Sequence, residues 1–223
     1  MEVIRTENLE KIYQDNGVPV HALKNINMTI DKGEYVVIAG PSGSGKTTLL
    51  NLLGALDKPT SGKIFFEGEN LAEKKKKELS QLRLKKFGFI FQAYNLIPVL
   101  TALENIEFSM MLLNIPEKER KEKARKLMDE LGIGDLANKR PNEMSGGQQQ
   151  RVAVVRAIVN EPEIVFADEP TANLDSKTGD NLLTLMEKMN KEKNITFIFS
   201  SHDKQVIERA KRLVILKDGQ IEG

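Results

Sequence analysis

A glycine-rich loop is the first group of residues whose types and spacing could do chemistry. The segment Gly40-Pro41-Ser42-Gly43-Ser44-Gly45-Lys46-Thr47 has the spacing G-x-x-x-x-G-K-[ST], and Thr48 follows it. The glycines let several backbone N–H groups point at one anion, and a helix that begins here adds its positive end. Lys46 would bring charge to the outer phosphates, and the Thr47 hydroxyl could ligate Mg²⁺. The alternative is a chance glycine-rich turn, which matches this spacing in about one random chain in a hundred.

Two carboxylates form a second group, because Asp168 and Glu169 end the apolar run 164–167. Asp168 could hold Mg²⁺ directly or through water, and Glu169 could orient or deprotonate an attacking water. Taken alone, two acids at a strand end favour a solvated surface. Beside a phosphate loop, they predict a nucleoside triphosphatase.

A third group, Ser145-Gly146-Gly147-Gln148, precedes a helical pattern. Ser145 is a natural N-cap, and the glycines leave the amides beneath it uncovered. The alternative is an ordinary helix start, because this group has no lysine or carboxylate of its own. A second phosphate-type site in one chain suggests that it serves the nucleotide of a neighbouring subunit. We therefore expect a two-fold dimer in which each site meets its complement.

The elements that must position these residues alternate between strand and helix patterns. Short, continuously apolar runs are typical of parallel strands covered on both faces, so the pattern predicts an α/β fold with a mainly parallel sheet. The predicted strands are 34–40, 87–92, 163–168 and 195–200, and the predicted helices are 46–56 and 176–193.

Two regions depart from that alternation. Residues 1–33 and 62–68 contain alternating segments, which predict an antiparallel β subdomain. Helical patterning predicts a helical subdomain inserted at about 95–160, with helices at 101–113, 117–131 and 148–159. The basic run 74–77 is expected to be a solvated helix face.

Composition excludes several classes of protein. The chain has 33 basic and 32 acidic residues, hence a net charge of +1, so no global charge favours nucleic acid and we expect no nucleic-acid partner. It contains no cysteine, which excludes disulfides and thiolate metal sites, and two histidines disfavour a multi-histidine site. We also expect no signal peptide and no membrane span, since no apolar run approaches 18 residues.

The three groups, together with Gln92, the loop 172–175 and His202, resemble the ordered motifs of ATP-binding cassette (ABC) ATPases. The resemblance covers about residues 3–219 and implies one nucleotide-binding domain over residues 1–223. The segments 89–105 and 145–153 look most like the lipoprotein-release and macrolide-export group. Met144 stands where the signature usually has leucine, and Ala172-Asn173 replaces the commoner Ser-Ala, but neither change removes chemistry.

The resemblance implies ATP and Mg²⁺ as cofactors and a role for each matching residue. Tyr13 would stack on adenine, unless it is merely a strand-end tyrosine. Gln92 would touch Mg²⁺ and the attacking water, and His202 would sense the γ-phosphate. Ser145, Gly146 and Gly147 would cap the γ-phosphate held by the opposite subunit, with Gln148 as part of the same nucleotide-binding signature. Asp175 would lie at the dimer interface. Glu169 would make the chain a working hydrolase.

The function implied is the ATPase subunit of a membrane transporter that dimerises on ATP and works an integral-membrane permease from the cytoplasmic face. An exporter of lipoprotein, macrolide or peptide type fits best. ABC proteins of chromosome maintenance are excluded, because Thr47 and Ser145 are only 98 positions apart, which leaves no room for long coiled coils. Two-cassette relatives are excluded by the single cassette. A cell-division-type subunit that signals mechanically without transport stays open.

The apolar run 96–100 follows Gln92 directly. We expect it to be partly exposed and to dock a cytoplasmic helix of the permease. The alternative is that these residues belong to the core of the helical subdomain, since exposed contiguous apolar patches are unusual in monomers.

Overall fold

A six-stranded sheet forms the centre of the computed structural model, which describes residues 1–15 and 17–222. The strand order is β10-β9-β3-β8-β7-β6. All neighbours pair in parallel except the terminal β9–β10 hairpin. The strands are β3 (Tyr35–Ala39), β6 (Phe87–Ile90), β7 (Ile164–Asp168), β8 (Thr196–Ser201), β9 (Arg212–Lys217) and β10 (Gln220–Ile221). The prediction of a mainly parallel sheet is confirmed.

A second, antiparallel sheet has the order β2-β1-β4-β5. Its strands are β1 (Glu2–Asp15), β2 (Val18–Asp31), β4 (Ser61–Phe66) and β5 (Glu69–Asn70). Along β2, buried Ile26, Met28 and Ile30 alternate with exposed residues, so the alternating pattern in the sequence corresponds to one buried face.

Seven α-helices are present in residues 1–15 and 17–222, and none of them combines the length and apolarity needed to cross a bilayer. They are α1 (Lys46–Leu53), α2 (Lys76–Lys86), α3 (Ala102–Leu112), α4 (Glu117–Glu130), α5 (Gly146–Ile158), α6 (Ser176–Lys193) and α7 (Lys204–Glu208). The predicted extent of α1, 46–56, was three residues too long, because Gly54 caps the helix and Ala55 adopts a left-handed conformation. The helix α5 begins two residues before the predicted start, since Ser145 caps it.

Two apolar clusters cover opposite faces of the parallel sheet. Val165 and Ala167 of β7 pack into one cluster with α3, α4, α5 and α6, while Ile164 and Phe166 pack into the other with α1, β1 and β2. Because both faces are covered, the carboxyl ends of the parallel strands are left as the open edge of the sheet. The chain leaves β3, β6, β7 and β8 at this edge. The phosphate loop, Gln92, the pair Asp168 and Glu169, and His202 therefore all lie here.

Candidate functional site

The phosphate loop connects β3 to α1 in a conformation that only glycine allows. Gly45 has φ +104°, and a Cβ placed on it would lie 2.5 Å from the carbonyl oxygen of Ala22. A Cβ on Gly40 would clash with the carbonyl oxygen of Leu216. The loop is therefore pressed against β2 and β9, which fixes the direction of its amide groups.

Lys46 opens α1 and is only 7% exposed. Its ammonium donates to the carbonyl oxygens of Gly40 and Pro41, each at 2.9 Å. These bonds hold a positive charge inside the curve of the loop, where the outer phosphates of a nucleotide would lie.

Thr47, the next residue, joins the phosphate loop to the carboxylate of Asp168. The Thr47 hydroxyl donates to Asp168 Oδ1 at 3.0 Å, although β8 lies between β3 and β7 in the sheet. Hard oxygen donors of this kind suit Mg²⁺. In residues 1–15 and 17–222, no group of three or more histidine, aspartate or glutamate side chains is arranged to hold a metal ion.

Glu169 follows β7 in a left-handed conformation, with φ +44°, and its N–H donates to the Ser200 carbonyl at 2.8 Å. Its Oε1 lies 2.6 Å from His202 Nδ1, and its Oε2 accepts from the Ser201 hydroxyl at 2.8 Å. The structure thus brings the predicted pair Glu169 and His202 into contact. Sequence reasoning missed Ser201, and the only available signal was a polar residue at the end of an apolar strand.

Gln92 lies just beyond β6 and is exposed. Its carbonyl accepts from the Asn173 side chain at 2.9 Å, which ties it to the loop before α6. Within the described chain, the Gln92 side chain makes no hydrogen bond to Asp168 or Glu169. The structure therefore brings Gln92 to the same edge of the sheet without joining it to the carboxylates.

An arginine that the sequence analysis missed holds the segment after Gln92. Arg156 of α5 donates to the carbonyl of Tyr94 at 2.7 Å and also to that of Asn95, two residues with left-handed backbones. Burial lowers the pKa of Arg156. This guanidinium connects the helix that begins at Ser145 with the segment that begins at Gln92.

The Ser145 group and Asp175 lie on one open pocket of about 370 Å³. Ser145 and Gln148 exchange capping hydrogen bonds, with Ser145 N–H donating to Gln148 Oε1 at 2.9 Å. Asp175 caps α6 by accepting from the Thr178 N–H at 3.0 Å, and hydrogen bonding to Thr178 lowers its pKa. A Cβ on Gly147 would lie 2.6 Å from Thr178 Cγ2, so the close approach of α5 and α6 requires glycine there.

Tyr13 lies near the end of β1 and is 38% exposed. Its hydroxyl donates to Asp57 Oδ2 at 2.9 Å and lies beside the Thr48 hydroxyl. Burial and the Asp57 hydrogen bond raise the pKa of Tyr13. The structure thus places Tyr13 beside the first turn of α1, next to the phosphate loop.

Comparison with known proteins decides the family, because residues 23–172 match the family described as "ABC transporter". The chain belongs to the ABC transporter family. Among its relatives is the "Lipoprotein-releasing system ATP-binding protein LolD" of Aquifex aeolicus, 45% identical over 100% of this chain and 97% of that protein. A "Macrolide export ATP-binding/permease protein MacB" of Aggregatibacter actinomycetemcomitans is 42% identical over 99% of this chain, which spans 34% of that longer protein.

A solved structure agrees with the fold. It is described as the "Dimeric structure of a post-hydrolysis state of the ATP-binding cassette MJ0796 bound to ADP and Pi". It is 42% identical, has a TM-score of 0.92, and covers 99% of this chain and 97% of that one. The predicted P-loop ABC ATPase fold is confirmed, and this chain is an ABC ATPase.

Proposed function

We propose that this chain is a single nucleotide-binding domain, residues 1–223 with a helical subdomain at about 95–160, and that two copies sandwich ATP to power an exporter. It would work on the cytoplasmic face of the membrane through a permease. The observation that carries the proposal is the presence of two separate phosphate-type sites on one chain. One is built around Lys46 and Asp168, and the other around Ser145 and Asp175.

The first site would bind the triphosphate and prepare the attacking water. The loop amides and Lys46 hold the β- and γ-phosphates, and Tyr13 stacks on the adenine. The carboxylate of Glu169, held by Ser201 and facing His202, orients the water and accepts its proton. While Nδ1 of His202 stays at Glu169, its second ring nitrogen, Nε2, would contact the γ-phosphate. The two side chains together would then contact both the attacking water and the phosphate.

Thr47, Asp168 and Gln92 would hold Mg²⁺. The ion, when bound with ATP, neutralises charge on the β- and γ-phosphate oxygens. The Thr47–Asp168 contact of 3.0 Å supports this assignment, because both oxygens already converge beside the loop.

The second site would complete the first site of a partner copy. The amides at the start of α5, capped by Ser145, would meet the γ-phosphate across a two-fold axis, and Asp175 would lie at the same interface. A relative is dimeric in a post-hydrolysis state with both ADP and Pi bound. The oligomeric state of this chain should therefore be compared with ATP and with ADP alone, since ADP alone lacks the γ-phosphate that the second site would contact.

The permease would dock in an apolar groove of about 600 Å³ lined by side chains that include Leu84, Phe89 and Leu112. Arg83 and Arg156 also line it, and neither has a carboxylate within 4.0 Å in the described chain. An apolar groove with two such arginines would be complemented by a short amphipathic permease helix that presents apolar side chains to the groove and an acidic side chain to the arginines. Asn95 lies on the same groove, so the docked helix would touch the segment that leads from Gln92.

ATP hydrolysis by the purified chain tests the first site. Lys46→Ala removes the charge at the outer phosphates, and we expect turnover to fall at least about a hundredfold with weaker ATP binding. Glu169→Gln keeps the shape and should lower turnover similarly while ATP binding is retained. Exposed Lys126→Ala is the matched lysine control. Normal turnover by Lys46→Ala would overturn the assignment.

A further inference from the structure

Three side chains connect the end of β1 with the loop that follows α1. Tyr13 donates to Asp57 Oδ2 at 2.9 Å, and the Lys11 ammonium lies 2.8 Å from the same oxygen. Lys11 also donates to the Lys58 carbonyl at 2.7 Å, and the Lys58 N–H donates to Asp57 Oδ1 at 2.7 Å. Both carboxylate oxygens are engaged, so the Tyr13 hydroxyl has a fixed acceptor.

Lys11 also lies against the Tyr13 ring. The two residues are two apart on β1, so their side chains point to the same side of the strand. The Lys11 ammonium is 4.7 Å from the ring centroid, within cation–π range. Only 12% of the Lys11 side chain is exposed, against 38% of Tyr13. The lysine therefore lies over one face of the ring, and the ring keeps an exposed part on which a flat base can stack.

The same cluster attaches this ring to the helix that starts at the phosphate loop. Asp57 follows the end of α1 at Leu53, and its N–H donates to the carbonyl of Asn51 within the helix. The Thr60 N–H donates to the carbonyl of Glu10 at 2.9 Å, which fastens β1 to the same loop. Asp57 is thus bonded to α1 through its backbone and to the Tyr13 ring through its side chain. These hydrogen bonds fix the distance between the ring and the phosphate loop at the start of α1.

We propose that Asp57 and Lys11 are positioning residues that hold the Tyr13 ring for stacking on the adenine of ATP. The inference rests on the proposed function, which assigns the base to Tyr13 and the triphosphate to the loop. Without the carboxylate or the ammonium, the ring is free to rotate and the base loses a preorganised surface. The effect therefore falls on binding of the nucleobase and leaves the chemistry at Glu169 unchanged.

Steady-state hydrolysis by Asp57→Ala, Lys11→Met and Tyr13→Phe tests the proposal. We expect KM for ATP to rise about three- to tenfold in each, with kcat changed by less than about twofold. Inhibition by tripolyphosphate, which has no base, should keep its wild-type Ki. In the Tyr13→Phe/Asp57→Ala double variant, KM for ATP should be no higher than in the single variant with the higher KM, since both substitutions remove the same hydrogen bond. Lys63→Met, an exposed lysine of β4, is the control.

A wild-type KM in all three variants, or a Ki for tripolyphosphate that rises in step with KM, would overturn the proposal. Tyr13→Phe removes one oxygen atom, so it keeps the test valid if Asp57→Ala fails to fold. Tyr13→Ala distinguishes the adenine-binding role of Tyr13 from the positioning role of Asp57 and Lys11. An unchanged KM in Tyr13→Ala refutes the adenine role itself, whereas a raised KM there with wild-type values for Asp57→Ala and Lys11→Met refutes only the positioning role.

Discussion

At the scale of single residues, the orientation of Glu169 depends on neighbours from the next strand. Ser201, at the end of β8, is fully buried and donates to one carboxylate oxygen, while His202 faces the other. The Asp203 N–H in turn donates to the Ser201 hydroxyl at 3.1 Å. A general base acts only when it is held within hydrogen-bond reach of its proton, so Ser201 sets the geometry of the step that Glu169 performs.

Ser201→Ala should lower kcat about tenfold and leave KM for ATP unchanged, because the carboxylate loses its anchor while the phosphate loop stays intact. The measurement is steady-state ATP hydrolysis. Ser109→Ala is the matched control, since this serine of α3 has a buried hydroxyl with no hydrogen-bond partner in the described chain. An equal loss of activity in both variants would refute the positioning role of Ser201.

At the scale of elements, a buried asparagine of α3 shapes the segment between Gln92 and the helical subdomain. The Asn105 side chain is 1% exposed and accepts from the Ile97 N–H at 2.7 Å. Its amide group donates to the carbonyls of Ile97, Leu100 and Thr101. Leu96 packs against the core while Val99 is 74% exposed, so the run 96–100 is partly exposed, as expected.

Asn105→Ala should lower the free energy of unfolding by about 2–3 kcal/mol, because it leaves buried backbone groups unpaired. Denaturant unfolding measures the loss, and limited proteolysis should show faster cleavage within residues 92–101. Exposed Asn138→Ala provides the comparison. If Asn105→Ala unfolds at the wild-type denaturant concentration, the asparagine does not hold this segment.

Strong local patterns made several elements predictable. The helix α6 spans the predicted 176–193, and β3 and β7 lie within the predicted apolar runs. The strand β8 starts and ends one residue later than its predicted run, 195–200. The exact extent of α2 was not predicted, because it buries only Leu79 and its polar sequence carries no apolar stripe. Contacts such as Ser201–Glu169 and Asp57–Tyr13 join residues 32 and 44 positions apart, which no local pattern encodes.

At the scale of the whole molecule, the proposed permease-docking groove beside Arg156 would couple ATP binding and hydrolysis to the permease. The chain has no cysteine, so Val99→Cys introduces a single thiol on the exposed part of the run 96–100, which follows the groove residue Asn95. We expect it to cross-link to the permease in the assembled transporter, whereas Lys63→Cys on β4 should not. Absence of a cross-link from every position between 94 and 101 would refute docking at this segment.

The most direct test of the account is the oligomeric state of Glu169→Gln on size-exclusion chromatography. The substitution weakens water activation and keeps the site's shape, so we expect a dimer with ATP and a monomer with ADP alone or without nucleotide. High salt should loosen whatever part of the contact is charge-driven. Adding Ser145→Arg to Glu169→Gln should abolish the dimer while ATP binding is retained. If Glu169→Gln stays monomeric with ATP across a range of salt and protein concentrations, the two-site mechanism is wrong.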